Sequence, residues 1–126
     1  MRYLLWFAAA FYTMEGIIHG LGLPILEHDQ IFLPTHDRYI AIMAFTYAAL
    51  LVLISLDLKK YRALFWLTMV GILMSMLNAA WIAHLGGYAK FFHTESLDGS
   101  LSWMGLVAVV WYVLTVGFYF KEIKKV

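Results

Sequence analysis

Four long apolar runs, Tyr3 to Leu23, Tyr39 to Leu56, Ala63 to Ala83 and Leu101 to Phe120, take up most of the chain, and the charged residues collect between them. Each run is close to the ~20 residues that cross a ~30 Å hydrocarbon core at 1.5 Å per residue. The pattern predicts an all-α polytopic membrane protein, a single antiparallel four-helix transmembrane bundle occupying residues 1–126. Thr46, Tyr47 and Ser55 in the second and shortest run predict that it packs against protein rather than facing lipid all round. The segment Asp57 to Arg62 is a tight turn of the kind that joins antiparallel helices, whereas Pro24 to Arg38 and His84 to Ser100 are long enough to be functional or docked loops. The first run is too long for a signal-peptide core, carries Glu15 and lacks a small-residue cleavage site, so it is expected to remain as a helix.

Composition agrees with the pattern: 63% of the 126 residues are hydrophobic and 13% charged, against about 25% charged in an average soluble domain. A formal net charge of +1 implies no nucleic-acid partner, and the absence of cysteine excludes disulfides, thiolate metal sites and covalent haem attachment. The cations segregate. Arg2 precedes the first run, Lys59, Lys60 and Arg62 lie between the second and third, and Lys121, Lys124 and Lys125 follow the fourth. By the positive-inside rule both termini are expected to be cytoplasmic, in a bilayer of the type of a prokaryotic cytoplasmic membrane. The opposite side holds Glu27, Asp29, Asp37, Glu95 and Asp98, and all five histidines fall in that outer half.

Chemistry is therefore expected on the outer side, and Glu15 and His19 are its centre. A charged group at helix-centre depth costs about 2.5–3.5 kcal/mol on insertion scales, so intramembrane ionisable groups usually face a bundle interior and mark a pathway or a site. At i and i+4 the two face the same way and can hydrogen-bond. They either line a cavity in which Glu15 orients or deprotonates His19, or satisfy each other and a neighbouring helix. Asn78 lies at a matching depth in the third run and is the expected partner, with Thr46, Tyr47, Ser75 and Trp81 as substrate-binding candidates. Small residues mark the packing faces: Gly16 and Gly20 in the first run, Ala44 and Ala48 in the second, and Gly71, Ser75, Ala79 and Ala83 in the third. These stripes predict that the first and third helices are close neighbours.

His28, His36, His84 and His93, several beside acids, offer ligand types suited to zinc or copper, but no spacing among them matches a metal motif. Metal binding is accordingly not expected. A haem held by His19 and His84 would need both at one depth, and they are offset by about one turn.

The step Gly16-Ile17-Ile18-His19 ending the first run, the outer loop before the second run and the short basic turn at Asp57 to Arg62 together resemble the DoxX-like group of small four-span membrane proteins. That resemblance implies a link to membrane oxidoreductase systems and quinone chemistry, with Gly16 and His19 as the positions of interest. A carboxylate in the first span is also similar to the small multidrug resistance transporters, where it exchanges protons for a cationic drug, although the long outer loops and His19 depart from that pattern. Four short helices with little extramembrane mass suit a subunit or accessory component of a membrane redox assembly, or a protein that handles an apolar, quinone-like substrate. Uncommitted small-residue faces suit docking on other membrane subunits or self-association. An enzyme and a proton-coupled transporter using Glu15 are also compatible with these residues.

Overall fold

The computed structural model describes residues 1–25, 34–84 and 97–123, with the side chains at positions 82, 83, 97–103 and 123 outside that description. Its elements are α1 (Arg2–Leu21), α2 (Pro34–Leu56), α3 (Arg62–His84) and α4 (Leu97–Ile123). All four helices are long and apolar enough to cross a membrane, as the four runs predict. Their ends differ from the runs where local chemistry, not hydropathy, sets the boundary. α1 stops at Leu21 because Gly22 adopts a left-handed conformation, φ 62° and ψ 43°. The Gly22 N–H then returns to the His19 carbonyl and the Leu23 N–H to the Ile18 carbonyl, the paired bonds of a Schellman cap. α2 begins at Pro34, five positions before Tyr39, since proline at a first helical position has the required φ and no N–H to satisfy. Asp37 and Arg38 therefore belong to a helix, not to a loop.

The α2–α3 turn is as tight as expected. Asp57 accepts the Lys60 N–H on its side chain and the Tyr61 N–H on its carbonyl, both at 3.0 Å. The N-terminal ammonium of Met1 lies 3.6 Å from Glu122, and Glu122 shares a hollow with Leu56, Asp57, Leu58 and Lys59. The start of α1, the end of α4 and the α2–α3 turn thus occupy one end of the bundle, called here the terminal end. The end of α1 and the start of α2 lie at the other, the loop end.

Each helix packs on the next, and α4 returns to α1, but the contact between α1 and α2 is by far the most extensive. This corrects the expectation that α1 and α3 are close neighbours. Gly16 lies under the ring of Phe45, where an added Cβ would come within 2.9 Å, and Gly20 lies against Ala41. The small residues Ala41, Ala44 and Ala48 form the buried face of α2, so the glycine stripe of α1 is filled by α2.

The common core sits towards the terminal end and combines Leu5, Ala8 and Ala9 of α1 with Leu51 and Ile54 of α2, Phe65, Met69 and Ile72 of α3, and Trp111 and Tyr119 of α4. Trp111 donates its indole N–H to the Leu4 carbonyl at 2.8 Å, tying α4 to α1. Trp111→Phe is expected to destabilise the bundle by about 1 kcal/mol, the net value of one hydrogen bond, seen as a lowered midpoint of thermal unfolding in detergent. Outward faces carry exposed apolar side chains such as Leu67, Leu77, Val107 and Val113, which suits contact with hydrocarbon and would be unusual in water.

Candidate functional site

The α1–α2 seam ends, at the loop end, in three ionisable side chains that hardly meet solvent: Glu15, His19 and Asp37 are 8%, 7% and 6% exposed. Local sequence sets them in place. Glu15 and His19 are one turn apart on one face of α1, and the Nε2 of His19 stands 3.5 Å from Glu15 Oε2. Gly16 and Gly20 follow them by one residue each and let α2 approach closely enough to bring Asp37 in. The Nδ1 of His19 then meets Asp37 Oδ1 at 2.7 Å.

Helix termini add to this geometry. His19 lies in the last turn of α1 and Asp37 in the first turn of α2, so the imidazole stands at the end that suits a cation and the carboxylate at the end that suits an anion. With Asp37 ionised, Nδ1 carries the hydrogen and donates it, which leaves Nε2 towards Glu15. A second proton can then reside on Nε2 or on Glu15. Two helices thus hold one imidazole between two carboxylates, an arrangement able to take up, hold and release a proton at a buried position.

Glu15 and His19 are together, as the i, i+4 spacing predicts. The remaining candidates are not gathered around them. Asn78 is exposed on α3, and the side chain that reaches His19 comes from Asp37 instead. The physical reason is the α1–α2 seam: because α2 fills the glycine face of α1, the polar partner comes from the first turn of α2. Thr46 is exposed and donates to the Ile42 carbonyl at 2.7 Å, and Ser75, also exposed, donates to the Gly71 carbonyl at 3.0 Å. Trp81 is exposed beside His84, with ring centroids 5.8 Å apart. Tyr47 alone turns inward, packing on Tyr12 at 5.4 Å between centroids and pressing its hydroxyl on Gly71. Ala79 is exposed, so of the α3 stripe Gly71 is used within the bundle, whereas Ser75 and Ala79 face outward.

Of the histidines considered as metal ligands, His36 and His84 are exposed at helix ends. His28 and His93, with Glu27, Asp29, Lys90 and Glu95, lie outside the described residues, as do Lys124 and Lys125. Among the described residues no group of three or more histidines, cysteines or acids is arranged to hold a metal ion. Asp37 escaped sequence reasoning because the second span was expected to begin at Tyr39. Pro34 followed by an acid three residues later is a helix-start signal that would have found it.

Comparison with known proteins adds no identity. No family model, no curated protein and no solved structure matches this chain. The reading of the site rests on its own geometry.

Proposed function

We propose that this is a small integral membrane protein whose Asp37, His19 and Glu15 exchange protons at the loop end of the bundle for an apolar, quinone-like substrate or for a membrane redox assembly in which it is a subunit. The observation that carries this reading is an imidazole flanked by carboxylates from two helices, hydrogen-bonded through Nδ1 to Asp37 at 2.7 Å and with Nε2 3.5 Å from Glu15. Such a chain of groups suits proton transfer. Reduction of a quinone adds two electrons and two protons, and the protons must come from groups that can be reprotonated from water. Electrons would come from a partner, which fits the role of a subunit. The likeness of Gly16 to His19 to the DoxX-like step points the same way. Arg2, Lys59, Lys60, Arg62 and Lys121 gather at the terminal end, which supports an orientation with that end cytoplasmic and the Glu15, His19 and Asp37 site on the outer side.

The test is binding of a short-chain quinone to the protein in lipid nanodiscs, followed by quenching of tryptophan fluorescence. Wild type is expected to bind, and His19→Gln to bind at least tenfold more weakly, about 1.4 kcal/mol, while Thr46→Val leaves binding unchanged. Equal affinity in wild type and His19→Gln would contradict the proposal. Proton uptake into protein-containing vesicles under an imposed potential, abolished in Glu15→Gln without any quinone effect, would instead favour a proton-coupled transporter.

A further inference from the structure

The hydroxyl side chains of this bundle mostly satisfy themselves on their own helix. Thr13 donates to the Ala9 carbonyl at 2.8 Å and Ser55 to that of Val52 at 2.6 Å, as is common for serine and threonine in membrane helices. Thr68, Thr115 and Tyr119 do not. They are 2%, 0% and 1% exposed, and their hydroxyl oxygens have no hydrogen-bond partner among the described residues.

The helical repeat places the three along one seam. Tyr119 stacks flat on Phe65, with ring centroids 4.4 Å apart and planes within 3°, which fixes the level at which α4 meets α3. From that level α3 runs away from the terminal end and α4 runs towards it. Thr68, three residues after Phe65, and Thr115, four before Tyr119, therefore both step one turn towards the loop end on the faces that the stacked rings define. Beyond them come Ile72 and Trp111, both in the apolar core. The helical repeat thus sets the two threonines one turn from the stacked rings, between them and the apolar level of Ile72 and Trp111.

We infer that Thr68, Thr115 and Tyr119 form a second polar site, in the α3–α4 seam, that takes water as its ligand. Each hydroxyl can both donate and accept. Three of them match the roughly three hydrogen bonds a buried water makes. None is charged, which favours a neutral ligand, and none opens to the surface, which favours the smallest one. Burying such groups dry would be unfavourable in a hydrocarbon surrounding. On the α2 side the Tyr47 hydroxyl presses on Gly71, one turn from Thr68. The bundle would then have a polar interior in both halves, with the Glu15, His19 and Asp37 site in one and the hydroxyl site in the other. The inference is independent of the quinone reading.

Water-edited solid-state NMR of the wild-type protein in lipid vesicles tests it directly. Magnetisation from water is expected to reach the Thr68 and Thr115 side chains much faster than it reaches their buried neighbours Met69 and Ile72. Build-up at the threonines as slow as at Ile72 would overturn the inference. Thr68→Val supplies a second readout, because valine keeps the shape and removes the hydroxyl. A hydrated site predicts a lower unfolding midpoint for the variant, since a bound water loses a partner. A raised midpoint would mean a dry, unpartnered hydroxyl and would also overturn it.

Discussion

Asp37→Ala is expected to be among the most destabilising single changes in this chain, by about 3 kcal/mol, because it strips one partner from a buried pair and leaves the other in place. His19 Nδ1 meets Asp37 Oδ1 at 2.7 Å with both side chains under a tenth exposed. The loss is expected to be coupled. In a double-mutant cycle of Asp37→Ala and His19→Leu, the second substitution should be less harmful in the presence of the first, since the bond between Asp37 and His19 is already gone and only the Glu15 contact is left to lose. Equilibrium unfolding in mixed micelles measures all four corners. Additive effects would mean that the two side chains do not interact.

The second large effect is expected at Gly71. A Cβ at this position would stand 2.6 Å from the Tyr47 hydroxyl oxygen and 3.4 Å from the nearest ring carbons. Gly71→Ala therefore forces Tyr47 or α3 to move, and overpacking of this kind costs about 1–3 kcal/mol. The clash is with one atom, so Tyr47→Phe should restore most of the stability that Gly71→Ala removes. Ala79→Leu, on the exposed continuation of the same stripe, should leave the unfolding midpoint of the isolated protein nearly unchanged. Failure of Tyr47→Phe to rescue Gly71→Ala would show that the helix backbones, not the hydroxyl, set the limit at that contact.

These two positions show how far the sequence could be read. The four spans were legible because a run of about 20 apolar residues has few structural outcomes. The turn at Asp57 was legible because it is short, polar and lies between two such runs. Glu15 with His19 was legible because the helical repeat alone puts i and i+4 side by side. The pairing of α1 with α2 was not, since small residues at the same spacing occur in three helices and only packing decides which stripes meet. Asn78 looked suitable by depth, but depth along a helix says nothing of rotation about it, and the structure leaves that side chain exposed. Asp37 was hidden by hydropathy: α2 continues past its apolar stretch through Arg38 to Pro34, and a reading by apolar runs assigns those residues to a loop. Tyr119 illustrates the same limit, because an aromatic residue near a span end serves either as an interface anchor or as core, and here it is buried.

The central claim is that His19 stands between two carboxylates, bonded through Nδ1 to Asp37 and with Nε2 facing Glu15. The most direct measurement is carbon–nitrogen dipolar recoupling in solid-state NMR, with labelled histidine and labelled Asp and Glu carboxyl carbons, on the protein in lipid vesicles. The account predicts a strong coupling from His19 Nδ1 to the Asp37 carboxyl carbon, a weaker one from Nε2 to that of Glu15, and loss of the first alone in Asp37→Asn at the labelled position. A His19 ring coupled to neither carboxylate, with a spectrum unchanged by Asp37→Asn, would contradict it.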